Sequence, residues 1–194
     1  FWLKPVRLKP IASLVHCLLP PLSDIMSIVP PIIAYFGGGM PSVVTDLLPA
    51  VSPAKALIAS VFLFNTPHMM TMYLKSKALK GMPNNTNPRA QTEELKKDAK
   101  YGDVLARALA AHQNGLESFP VFAAGVLACL AAGVDRAKAG KIAAMHLLSR
   151  VAFNFFYFGL GPSDAVGFMR TASWAASLLT SCQLIMLAAN KSGY

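Results

Sequence analysis

The chain has 194 residues, of which 54% are hydrophobic and 14% are charged. Ordinary soluble domains carry about 25% charged residues, and the apolar residues here form blocks as long as the roughly 20 residues that a bilayer span needs. The net charge of +9 does not indicate nucleic-acid binding, because the basic residues lie between apolar blocks and form no aromatic-interleaved patch. Three cysteines without CxxC spacing and four histidines without HExxH indicate neither a disulfide framework nor a metal site.

Residues 1–53 are predicted to form an N-terminal extension rich in Pro and Gly, partly interfacial or targeting. Residues 1–23 carry three basic side chains and no acidic one, like an organellar targeting segment. Four prolines in that stretch oppose an amphipathic helix, so Met26 is kept as an alternative start of the chain. Prolines and three consecutive glycines also interrupt residues 26–53, where short helical pieces are expected at the membrane surface.

Residues 54–191 are predicted to form an all-α, integral membrane four-helix bundle. The predicted spans are residues 54–74, 104–133, 139–158 and 164–189. Pro53 suits the start of the first helix and Ser163 suits the N-cap of the last.

The polar connection at residues 75–103 holds seven Lys or Arg against four Asp or Glu. This bias predicts that it faces the cytosol or the mitochondrial matrix, with both chain termini on the opposite side. Within the connection, residues 92–100 are predicted to form a solvated helix.

Polar side chains recur on one side of the second and third spans. In the second span, Arg107, Asn114 and Glu117 fall within roughly 80° of one another at about 100° per residue. A similar stripe follows the third span: His146, Arg150, Asn154 and Tyr157. Charged groups within a span are expected to face the bundle interior or a wet cavity. Glu117 is the acid available inside the spans, which predicts a buried ion pair between Glu117 and Arg150.

Three arginines, one each from the second, third and fourth spans, are expected to converge near one face of the membrane: Arg107, Arg150 and Arg170. Because the connections after the first and third spans lie on the same side, Arg107 and Arg170 should be close together, with Tyr157 nearby. Arginine is suited to forked recognition of carboxylates, so the cluster predicts an anion site. The structural alternative is that these polar groups form an internal network that only holds the helices together.

The second span also resembles a known family signature. The residues Arg107, Ala111, His112, Asn114, Glu117 and 119–122 (FPVF) follow the pattern R-x3-A-[HQ]-x-N-x2-E-x2-P-x-F. This is similar to the second helix of the MAPEG superfamily, the membrane-associated proteins of eicosanoid and glutathione metabolism. Arg150 and Tyr157, spaced R-x6-Y, resemble its third-helix signature. The resemblance covers roughly residues 52–191.

The resemblance implies a glutathione site. The implied glutathione-binding residues are Arg107, Asn114, Glu117, Arg150 and Asn154. Arg170, early in the fourth span, would activate the thiol together with Tyr157. The resemblance further implies a homotrimer in contact with membrane lipid, active sites between neighbouring subunits, and lipophilic electrophiles or lipid hydroperoxides as substrates. The membrane would be that of the endoplasmic reticulum or of mitochondria.

The chain departs from the family pattern at several positions. Ala110 stands where related synthases often have Arg, and Gly115 and Phe153 replace more polar residues. The interval from Tyr157 to Arg170 is longer than in the eicosanoid synthases. Two functions are therefore kept: a membrane-bound glutathione-dependent transferase or peroxidase, and a non-catalytic structural or accessory subunit of a larger membrane complex. A small transporter or lipid-binding protein is a third alternative.

Overall fold

The computed structural model describes residues 48–193, which form five α-helices, one π-helical turn and no strand. The elements are α1 (Pro53–Leu79), α2 (Pro88–Leu95), α3 (Gly102–Ala131), α4 (Arg136–Asn154), the π-helical turn (Phe155–Gly159) and α5 (Asp164–Ser192). Most of the predicted N-terminal extension, including the alternative start at Met26, lies outside the described residues.

Local capping signals set several helix ends. Pro53 occupies the first turn of α1, where its missing N–H leaves no hydrogen bond unmade. The carboxylate of Asp135 accepts a hydrogen bond from the Lys138 amide at 2.8 Å and so caps α4. The predicted cap of α5 is confirmed, since the Ser163 hydroxyl accepts from the Val166 amide at 3.3 Å.

Each of the four predicted spans overlaps one long helix. Among the described helices, α3 and α5 are long and apolar enough to cross a membrane; that α1 and α4 also cross it stays a prediction. The predicted solvated helix at residues 92–100 is wrong in its bounds. Helix α2 begins earlier because Asn87 accepts from the Ala90 amide at 3.4 Å and Pro88 fills the first turn.

The apolar core fills one end of the bundle, where α1 and α4 begin and α3 and α5 end. Its buried residues include Ala56, Phe122, Val126, Cys129, Ile142, Ala143, Leu184 and Ala188. Glycine allows close helix approach on two sides of α3. A Cβ atom on Gly115 would lie 2.7 Å from Phe64 Cβ of α1, and one on Gly125 would lie 2.9 Å from Leu184 Cβ of α5. The polar residues gather toward the other end, beside the π-helical turn.

Candidate functional site

Two cavities lie where the C-terminal part of α4 and the π-helical turn meet α3 and α5, and both are lined by Tyr157 and Arg170. The first cavity, of about 360 Å³, is lined by Ala110, Gln113, Asn114, Glu117, Phe153, Tyr157, Arg170, Thr171 and Trp174. The second, of about 340 Å³, is lined by Arg107, Phe156, Tyr157, Leu160, Gly161, Pro162, Ser163, Asp164, Val166, Gly167 and Arg170. Residues far apart in sequence thus meet at one end of the bundle.

Arg170 and Tyr157 are in direct contact. The Arg170 Cζ atom lies 4.8 Å from the centroid of the Tyr157 ring, within the range of a cation–π interaction. Tyr157 sits in the π-helical turn, a backbone form that is rare and frequent at functional sites. The structure therefore brings the two residues predicted to be catalytic together, and it places Arg107 beside them in the second cavity.

Part of the hydrogen-bonding capacity of the Arg107 guanidinium is used within its own helix, α3. Its Nη1 forms an ion pair with the carboxylate of Asp103, one turn earlier. Its Nε atom is buried and has no hydrogen-bond partner among residues 48–193. Sequence analysis missed Asp103, although its i, i+4 spacing from Arg107 is a recognised helical pairing signal. Arg107 also lines the second cavity. Because the ion pair with Asp103 uses one of its nitrogens, the guanidinium keeps donors that could bind an acceptor there.

The predicted ion pair between Glu117 and Arg150 is wrong. Arg150 Nη1 donates instead to Asn114 Oδ1 at 2.8 Å, and Glu117 Oε1 accepts from Gln113 Nε2 at 3.1 Å. Within the described part of the chain the ion pairs are Lys96–Glu93 and Arg107–Asp103. The reason is geometric, because Arg150 is buried against α3 whereas Glu117 lies on the exposed side of that helix and lines the first cavity.

Arg150 and Asn154 do not line either of these two cavities. Arg150 is 4% exposed, and its Cζ lies 4.2 Å from the centroid of the Phe153 ring. The Asn154 Nδ2 atom donates to the Leu63 carbonyl of α1 at 3.1 Å, and its Oδ1 is buried without a described partner. Arg150 thus reaches the first cavity through Asn114, and Asn154 joins α4 to α1. Their predicted contact with glutathione stays a prediction.

The hydrogen bond from Arg150 fixes which way the Asn114 amide points. A guanidinium group can only donate, so the oxygen of Asn114 faces Arg150 and the two N–H donors of Nδ2 remain for other acceptors. Glu117 adds a carboxylate to the same cavity, and Gln113, which sequence analysis missed, adds a second amide. The first cavity therefore offers amide donors, the Glu117 carboxylate and the Arg170 guanidinium, while the second offers the guanidinium groups of Arg107 and Arg170.

Residues 48–193 contain no group of three or more His, Cys, Asp or Glu side chains that could hold a metal ion. The model of the MAPEG family matches residues 55–190, a stretch that contains both cavities. Comparison with curated proteins and with solved structures gives no significant match.

Proposed function

The chain belongs to the MAPEG family, and we propose that it is a membrane-bound glutathione-dependent transferase or peroxidase. The family consists of helical membrane proteins, and the described part of this chain is an all-α bundle in which two helices are apolar enough to cross a bilayer. The proposed substrates are lipophilic electrophiles or lipid hydroperoxides, which reach the site from the surrounding lipid. The proposed membrane is that of the endoplasmic reticulum or of mitochondria.

The observation that carries the proposal is that Tyr157 and Arg170 line both cavities. Glutathione is a tripeptide with its thiol on the central residue, an amine and a carboxylate at one end, and a second carboxylate at the other. We assign the amine end to the first cavity, with its carboxylate and amides, and the other carboxylate to Arg107. The thiol would then lie beside Arg170 and Tyr157.

In this arrangement each polar group has a separate task. Glu117 pairs with the ligand's amine, and the Asn114 amide donates to its neighbouring carboxylate. Arg170 stabilises the thiolate, because a nearby cation favours the ionised form of a thiol whose ordinary pKa is about 8.5. The Tyr157 hydroxyl can donate a hydrogen bond to the same sulfur. Arg150 holds the Asn114 side chain through a hydrogen bond, and Asn154 holds α4 against α1. Both residues thereby position the glutathione site.

The activated thiolate is suited to two related reactions. In the transfer reaction its sulfur attacks an electrophilic carbon, a C–S bond forms, and the leaving group departs with the bonding electrons. In the peroxidase reaction the sulfur attacks a peroxide oxygen and the O–O bond breaks. A second glutathione then releases glutathione disulfide, so that two thiols and one hydroperoxide give one disulfide, one alcohol and one water.

The proposal includes a homotrimer. Glu117 lies on the exposed surface of α3 together with Gln113 and Ala110. A carboxylate that faces lipid is costly, so burial of this face against a neighbouring subunit would remove the exposure and close the first cavity.

Two observations favour the second candidate, a non-catalytic structural or accessory subunit. Arg150 and Asn154, both predicted to bind glutathione, form hydrogen bonds between helices instead. In addition, Ala110 lines the first cavity where related synthases often have Arg. A bundle that used its polar groups only for assembly would show the same two features.

Titration of the purified protein with glutathione, followed by calorimetry and by the far-ultraviolet absorbance of the bound thiolate, separates the candidates. We expect binding in the wild-type protein, in Arg170→Ala and in the control Arg136→Ala, an exposed arginine outside both cavities. The pH at which thiolate appears should rise by about one unit only in Arg170→Ala, a tenfold loss of thiolate at pH below the thiol pKa.

The absence of a glutathione-dependent signal in all three forms would contradict the proposed activity and favour the structural subunit. An unchanged thiolate titration in an Arg170→Ala protein that still binds glutathione would move thiol activation to Tyr157 or Arg150.

A further inference from the structure

A third, much smaller cavity lies inside the bundle. Its volume is about 10 Å³, which is close to the minimum that holds one water molecule. The cavity is bounded by α1, α3 and α4, and four of its lining side chains are polar: Ser60, Ser118, His146 and Arg150. An interior cavity lined by this many polar groups favours water, whereas a purely apolar one stays dry.

Arg150 brings unmatched donors to this cavity. A guanidinium group has five N–H donors, and the one hydrogen bond that Arg150 makes within residues 48–193 is the one to Asn114. It takes part in no ion pair in that part of the chain, although it is 4% exposed. A buried cation with unsatisfied donors is destabilising, so an acceptor next to Arg150 would stabilise the bundle.

His146 supplies a fixed acceptor. Its Nδ1 atom lies 3.0 Å from the Ser177 carbonyl oxygen and 3.1 Å from the Ser181 hydroxyl oxygen. The carbonyl can only accept, and the Ser181 hydroxyl already donates to that carbonyl at 2.9 Å, so Nδ1 carries a proton. A second charge one helical turn from Arg150 would be costly in an apolar bundle, which keeps the imidazole neutral. Its Nε2 therefore presents a lone pair. The ring is held in place by Phe122, which stacks on it with centroids 3.8 Å apart and an interplanar angle of 6°.

The two serines, Ser60 and Ser118, are the remaining polar residues that line the small cavity. The Ser60 side chain is 5% exposed, and it makes no hydrogen bond within the described part of the chain. The hydroxyl of Ser118 donates to the Gly115 carbonyl at 3.2 Å, which leaves its oxygen able to accept. One water molecule could thus accept from Arg150 and Ser60 and donate to His146 and Ser118, which is the two-to-four-partner environment typical of buried water.

We propose that the small cavity binds one water molecule, and that this water holds Arg150 as a positioning residue for Asn114. With its guanidinium fixed between the water and Asn114 Oδ1, Arg150 keeps the Asn114 N–H donors turned toward the first cavity. Ser60 and His146 are then positioning residues too, although neither lines the two larger cavities. The positioning role rests on the proposed function, because it needs a ligand in the first cavity; the water site does not.

The water site is tested by solid-state NMR of the ¹⁵N-labelled full chain in lipid bilayers. Magnetisation transfer from water should reach the Arg150 guanidinium and the His146 ring nitrogens. The Ser60→Val variant fills the cavity with methyl groups and should abolish this transfer. Thr71→Val is the matched control, since Thr71 is also buried on α1 and its hydroxyl donates within that helix to the His68 carbonyl at 2.7 Å. Absence of transfer in the wild-type protein, or its persistence in Ser60→Val, overturns the water site.

The positioning role is tested by glutathione titration of the same proteins. We expect Ser60→Val to bind glutathione about tenfold more weakly than the wild type, and Thr71→Val to bind as well as the wild type. If wild-type protein shows water transfer but no glutathione binding, the proposed function fails and the water site stands. If Ser60→Val loses the water and keeps wild-type affinity, the positioning role is overturned. Should Ser60→Val fail to fold, Ser60→Ala removes the hydroxyl without adding bulk and should reduce both signals.

Discussion

The Arg150 guanidinium donates to the Asn114 side-chain oxygen over 2.8 Å, and this bond joins α4 to α3. The acceptor is a neutral amide, so the positive charge of Arg150 is not cancelled by its partner. Within residues 48–193 no carboxylate pairs with it. A net positive charge therefore lies directly behind the first cavity, where it favours anionic groups of a bound ligand.

Asn114→Ala should lower the free energy of unfolding by about 1.5–3 kcal/mol, the range for a hydrogen bond to a charged group. Asn114→Asp retains the acceptor and adds a neutralising charge, so it should melt in detergent at or above the wild-type temperature. Gln113→Ala is the control, because Gln113 is the exposed neighbour. Equal melting temperatures for Asn114→Ala and Gln113→Ala would show that the bond to Arg150 contributes nothing to stability.

Glu117→Gln should change stability by no more than about 0.5 kcal/mol, as expected for an exposed side chain. Glu93→Gln, which removes an exposed ion pair with Lys96, is the matched control. The two variants should differ in glutathione affinity, which falls at least tenfold only in Glu117→Gln because the ligand's amine loses its carboxylate partner. A large loss of stability confined to Glu117→Gln would instead indicate the ion pair with Arg150 that the structure lacks.

The positions of the helices and the meeting of three site residues could be predicted from the sequence. Helix positions follow from apolar blocks and from local signals such as Ser163, because those effects act within a few residues. The gathering of Arg107, Tyr157 and Arg170 followed from the alternating direction of the helices alone.

The buried partner of Arg150 could not be predicted in the same way. Three positions turn an α-helix by about 300°, so Asn114 and Glu117 lie only about 60° apart on α3. Helical periodicity therefore cannot decide which of the two faces α4. The π-helical turn could not be predicted from the sequence either, because the predicted stripe of polar residues through Tyr157 assumed the α-helical rotation of about 100° at every residue.

Gly115→Ala should destabilise the bundle by about 1–3 kcal/mol, the cost of overpacking a well-packed contact. The new methyl group would lie 2.7 Å from Phe64 Cβ and would push α1 away from α3. Gly167→Ala is the control, since a Cβ atom there meets nothing within 4 Å. That variant should be neutral or stabilising by about 0.5–1 kcal/mol, the difference between Ala and Gly in a helix. Detergent unfolding curves measure both, and a neutral Gly115→Ala would argue against close packing of α1 on α3.

Cysteines introduced at Glu93 and at Ser192, in a chain without native cysteines, should react with a membrane-impermeant reagent from opposite sides. Both positions are exposed, one on α2 and one at the end of α5. Four spans place the basic connection and the C-terminus on different faces. Labelling of both from the same side would require an even number of spans between them instead of the predicted three.

The π-helical turn at Phe155–Gly159 is a segment in which the number of residues could change by one. Each of its hydrogen-bonded rings holds one residue more than an α-turn. Removing one residue before Tyr157 would leave Arg150 and Asn154 in register with α1 and α3, yet would rotate the Tyr157 side chain about the helix axis. Such a deletion would move the tyrosine ring away from Arg170, whereas the hydrogen bonds of Arg150 and Asn154 lie before the turn and would be kept. A one-residue change in this turn is thus a route by which a chain of this fold could exchange a thiol-activating site for a purely structural one.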